Sequence, residues 1–169
     1  VGSEMCIRDR YTTLARTLIA IGEAHHRAGK LQSASVVLGI GSACAYMPDM
    51  PATEALRLWS AFGAHLARAA FQTNEHYDQA HEALTRAREL ALTQGDAHAA
   101  ADALDARGLA LYYLTLHGGS SSYDDAWACF SAALQEREAS GDDCGIAESL
   151  FHLGLIAERL DAERGNAAA

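Results

Sequence analysis

Four times along the chain an apolar residue is followed, three and four positions on, by a second residue and a glycine. The matches are Leu18-x-x-Ile21-Gly22, Trp59-x-x-Phe62-Gly63, Leu104-x-x-Arg107-Gly108 and Leu150-x-x-Leu153-Gly154. Three of them precede a second signature, Leu31-x-x-Ala34-x3-Leu38-x2-Gly41, Tyr77-x-x-Ala80-x3-Leu84-x2-Ala87 and Tyr123-x-x-Ala126-x3-Phe130-x2-Ala133. Spacings of three and four residues mark one face of an α-helix, and no segment alternates with period two for long enough to predict a strand. The pattern predicts seven helices, over about 11–28, 31–46, 51–71, 76–94, 97–117, 123–139 and 144–161.

Local signals punctuate these helices. Gly29 and Gly95 sit where a helix ends, since glycine enters the left-handed region without strain. Pro51 suits a first turn, where no amide donor is needed. Asp96 is an expected N-cap, and Ser122 with Asp125 makes a capping-box-like start. Asp124-Asp125 and Asp142-Asp143 fall at helix starts, where carboxylates complement the dipole. Gln72-Thr-Asn-Glu75 is expected as a turn, and Gly118-Gly-Ser-Ser-Ser122 as a flexible linker.

The matched glycines Gly22, Gly63, Gly108 and Gly154 are 41, 45 and 46 residues apart, and Leu31, Tyr77 and Tyr123 are 46 and 46 apart. These residues resemble the tetratricopeptide repeat (TPR), which joins W-x2-L-G-x2-Y on a first helix with A-x3-F on a second. The units fall at about 11–47, 51–94, 97–139 and a partial 144–161, longer than the ~34-residue consensus. In that length they look like units of bacterial signalling ATPases, multidomain transcription regulators and kinesin-light-chain-like arrays. The resemblance implies an all-α, right-handed α-solenoid of antiparallel helix pairs, about seven helices in all, with the first helices lining a concave groove. Arg107 departs from the apolar pattern, so the third first-helix is expected to pack less regularly.

The ends are read separately. Val1 through Asp9 matches the conceptual translation of a transposon-end adapter used in DNA sequencing libraries. Residues 1–10 are therefore expected to be non-native and to carry no fold information. Residues 162–169 are expected to fray. The natural N-terminus is expected to be missing, and the chain to be a fragment of a larger bacterial signalling or regulatory protein.

Composition narrows the partners. A net charge of −9 with a single lysine, Lys30, and no basic stripe argues against nucleic acid. No apolar run reaches the ~18–20 residues that cross a bilayer. Of four cysteines, Cys6 lies in the adapter-like segment, and Cys44, Cys129 and Cys144 have no CxxC spacing. Reduced thiols and a cytoplasmic location are the expectation.

No P-loop, Rossmann or G-x-S-x-G motif occurs, so neither catalysis nor a cofactor is expected. The eight histidines lack the H-E-x-x-H spacing, so no metal is expected either. What remains is a groove for a protein or peptide partner. Positions beside the buried ones select Arg16, Glu23, His26, Arg27, Arg57 and Arg68, then Asp102, Asp105, Tyr112 and Tyr113, then Glu148, Phe151 and His152. Cations dominate the first two units and carboxylates the third, with Tyr112, Tyr113 and Phe151 as expected aromatic anchors. The places where related arrays clamp a terminal carboxylate hold Ile19 and Glu23, which disfavours that mode. A scaffold for protein–protein interaction is the leading expectation, and a peptide- or ligand-sensing arm of a regulator the alternative. Exposed ends of the array leave room for self-association.

Overall fold

The structure, a computed structural model, describes residues 2–73 and 75–167, with side chains over 8–72 and 75–162. Among these residues are seven α-helices and no strand. They are α1 (Gly2–Arg27), α2 (Leu31–Cys44), α3 (Ala52–Thr73), α4 (Tyr77–Gln94), α5 (Ala97–Leu116), α6 (Tyr123–Ser140) and α7 (Asp143–Ala167).

The punctuation works through its expected chemistry. Gly29 and Gly95 both take φ +70°. Asp96 accepts from the Ala99 amide at 3.0 Å. Ser122 and Asp125 satisfy each other's amides in a full capping box. Asp142 accepts from the Gly145 amide at 3.1 Å, which explains the acidic pair there as a helix start. Three boundaries differ from the sequence reading. Helix α1 begins at Gly2 rather than near residue 11, because no proline or glycine interrupts residues 3–21. Helix α7 runs to Ala167 rather than 161, since Asp161-Ala-Glu-Arg164 holds no helix breaker. Helix α3 runs to Thr73 rather than 71, so Gln72 and Thr73 of the turn expected at 72–75 are helical, and Asn74 lies outside the described residues. Past it His76 adopts φ +70°, a conformation costly for a residue with a Cβ.

Each helix packs on its successor, and α1 also meets α3, α3 meets α5 and α5 meets α7. The repeated glycines explain how. A Cβ on Gly22 would run into Leu38, one on Gly63 would lie 2.6 Å from Leu84 Cγ, and one on Gly108 would lie 2.8 Å from Phe130 Cε1. In three successive units, therefore, a glycine on the first helix is the notch for a large residue on the second. Close helix approach is what the glycine supplies at these positions. Gly154 is different, with nothing within 4 Å of the added Cβ. Leu150, which opens the fourth match, is more than half exposed, because no helix among the described residues covers that side of α7.

The core between the notches is rich in alanine: Ala80, Ala83, Ala87 and Ala91 of α4 and Ala100 and Ala103 of α5 are all essentially inaccessible. Small side chains let α3, α4 and α5 pack tightly, so dispersion replaces the larger transfer energy of long apolar residues. On the opposite side Arg88 of α4 donates to Ala100 O at 2.8 Å and to Glu136 of α6 at 3.0 Å, tying three helices together.

Candidate functional site

The odd-numbered helices line one groove of about 950 Å³. Glu23, His26 and Arg27 of α1, Arg57 and Arg68 of α3, Asp102 and Asp105 of α5, and Glu148 and His152 of α7 all border it. Nine of the thirteen residues selected from the sequence are thus brought together. Ala61 and Ala64 of α3 and Ala99 and Ala106 of α5, all partly exposed, form much of its floor.

Four expected groove residues lie elsewhere. Tyr112 is buried beside Tyr123 and Ile156, and its hydroxyl lies close enough to the Arg159 guanidinium of α7 to raise that group's pKa. Tyr113 is half-buried, packed on that core and on Phe71 at 5.1 Å between ring centroids. Helical periodicity puts Tyr112 on the same stripe as Asp105, seven residues away, but the second half of α7 covers that part of the stripe. Phe151 is 63% exposed and outside the groove, one helix step round from His152. Arg16 is exposed and pairs with Glu54 of α3 at 3.7 Å without lining the groove. The aromatic anchors expected from the sequence are therefore absent from the groove wall. Charged side chains, alanines and a few aliphatic residues such as Ile19, Leu56 and Leu109 make it up instead.

The α1/α3 side holds a histidine pair. His65 is 3% exposed, and its Nδ1 lies 2.8 Å from His26 Nδ1 while its Nε2 lies 2.8 Å from Ser35 Oγ. Burial first, then the neighbouring His26, lower the His65 pKa to about 4. Burial and then Arg68 and Arg27 lower that of His26. Both rings are neutral at pH 7, which lets one nitrogen donate to the other. Three turns earlier on α3, Glu54 is buried and meets Arg57 at 3.3 Å as well as Arg16.

The α5/α7 side is organised by Arg137, which reaches across from α6 and is 1% exposed. Its Nη1 donates to Asp105 at 3.0 Å, Ser149 at 2.7 Å and Gly145 O at 2.9 Å. Its Nη2 donates to Asp102 at 2.7 Å and Glu148 at 3.1 Å. Burial opposes its charge, but Asp102, Asp105 and Glu148 outweigh that and raise its pKa. Asp105 is buried too, accepting from Ser149 at 2.9 Å and facing His152 Nδ1 at 2.8 Å.

Two sets of groups here have a cation-binding composition, Asp105 with Glu148 and His152, and His98 with Asp102 and Asp142. Glu148 with His152 and His98 with Asp102 stand four apart on one helix, but the third member of each set comes from another helix or a loop, which spacing along one helix does not reveal. In the first set the Arg137 guanidinium already supplies positive charge to Asp105 and Glu148. Sequence reading missed Arg137, Ser149 and His65, all in the buried layer under the groove. Arg107, the departure from the apolar pattern, lays its Nη2 3.4 Å from Cys129 Sγ.

No family model matches the chain, and no curated protein matches it. Among solved structures it is similar to the DHF79 filament protein, with 16% identity over 96% of this chain and 90% of that one. The TM-score is 0.37, a likeness too distant to bear on function.

Proposed function

We propose that the chain is a non-enzymatic interaction scaffold: a right-handed, TPR-like α-solenoid whose groove holds an extended peptide or a partner helix. The observation that carries the reading is the gathering of nine variable, mostly charged side chains from α1, α3, α5 and α7 around one groove with a small-residue floor. The packing grammar supports it. Glycine notches filled by the next helix recur three times, which is how a stack of helix pairs buries its faces. The residues of that grammar are spent on packing, so recognition falls to the positions between them. Without aromatic anchors the groove depends on charge and on close approach to its alanines, which gives selectivity more than raw affinity.

A selection of displayed random peptides on the purified chain tests this. Peptides recovered should lose at least about tenfold in affinity when Ala64→Trp fills the groove floor, with helicity by circular dichroism unchanged. Affinity that survives that substitution would place recognition outside the groove.

A further inference from the structure

One position of the repeat carries charge in every unit. Arg16, Arg57, Asp102 and Glu148 each lie six residues before the matched glycines Gly22, Gly63, Gly108 and Gly154. They therefore occupy equivalent places on α1, α3, α5 and α7, and they read positive, positive, negative, negative across the four helices. All four side chains are more than half exposed.

Behind each like-charged pair stands one buried counter-ion. Glu54 serves Arg16 and Arg57, and Arg137 serves Asp102 and Glu148. One carboxylate against two guanidiniums leaves the α1/α3 side positive. One guanidinium against Asp102, Asp105 and Glu148 leaves the α5/α7 side negative. The buried ions hold the exposed like charges together without cancelling them. Among the described residues Arg68, exposed on the positive side, makes no ion pair.

From this row we infer, resting on the groove reading above, that the ligand is a bipolar peptide segment. Its carboxylate-bearing part lies over Arg57, and its guanidinium or ammonium part lies over Asp102 and Glu148. Helices pack 8–10 Å apart, so Arg57 and Glu148, two helix steps apart, are separated by roughly 16–20 Å. Five or six residues of extended chain span that distance, or about twelve of a helix. The separation exceeds the ~8 Å screening length at physiological salt, so each end of the ligand is recognised independently. The sign change therefore fixes which way the ligand runs across the helices.

The test is peptide selection from a displayed random 16-residue library on the full chain and on Arg57→Glu/Glu148→Arg. The wild-type chain should enrich peptides with an acidic cluster separated from a basic cluster by one of those two spacings. Arg57→Glu alone and Glu148→Arg alone should each weaken a selected peptide by about tenfold or more, and the double variant should prefer the reversed charge order. Glu148→Gln, which puts no new charge beside Arg137, should weaken it by about threefold and keeps the test independent of any misfolding of the reversal. Enriched peptides without charge segregation, still displaced by Ala64→Trp, would overturn the bipolar ligand and leave the groove reading intact. Peptides indifferent to Ala64→Trp would overturn both.

Discussion

The two halves of the groove solve the same electrostatic problem with opposite signs and unequal risk. On the α1/α3 side the buried ion is Glu54, and both of its arginine partners reach into solvent. On the α5/α7 side the buried ion is Arg137, and one of its partners, Asp105, is buried with it. An ion whose partners stay hydrated can be removed at small loss, because they return to water. An ion that neutralises another buried charge cannot, because its removal strands that charge. The second half should therefore be committed to its folded geometry and the first comparatively tolerant.

The sharpest test removes the two buried ions in turn. Arg137→Met should cost about 3–5 kcal/mol by urea denaturation, whereas Glu54→Gln should cost about 1 kcal/mol. Equal losses would break the comparison.

Acid should act on the tolerant half. The ordinary histidine pKa is 6.5 and that of folded His65 is about 4. Between these values the unfolded chain takes the proton and the folded chain does not, so stability is full above pH 6.5 and falls as the pH drops toward 4. The loss assigned to His65 should be on the order of 3 kcal/mol, and His65→Gln should flatten that part of a pH–stability profile relative to wild type.

Two glycines give a finer contrast at the other half. Gly108→Ala meets Phe130 and Cys129 and should destabilise by about 1–3 kcal/mol. Gly154→Ala meets nothing and should stabilise α7 by up to about 1 kcal/mol through helix propensity. Thermal melts of the two variants should move in opposite directions. Last, Arg57→Ala and Glu148→Ala should each cost no more than about 1 kcal/mol, since each truncated side chain is more than half exposed and the buried ion behind it keeps another partner, Arg16 for Glu54 and Asp102 with Asp105 for Arg137.

Much of this was written in the sequence, some of it unread. The helices, their caps and the glycine notches follow from short-range spacing, which helix geometry makes local. Arg137 carried a signal as well. It stands eleven residues after Ala126, where the equivalent positions after Ala34 and Ala80 are Ala45 and Ala91. His65, two residues after Gly63, likewise matches Ala24, Ala110 and Ile156. A polar residue at a position that is apolar in the other units marks a buried polar contact, though not its partner. Tyr112 gave no such warning: its helical phase agrees with a groove position, and only the helix lying across it decides that it is buried.

By itself the sequence determined the all-helical architecture, the start and stop of most helices, and the small-into-large packing of three successive units. These depend on backbone geometry and on residues a few positions apart. Tertiary structure alone decided which part of each exposed stripe stays open, which carboxylates share Arg137, and that the aromatic rings leave the groove. Those outcomes depend on which element covers which. Helical period fixes the direction of a side chain, and only the neighbouring helix fixes what it meets.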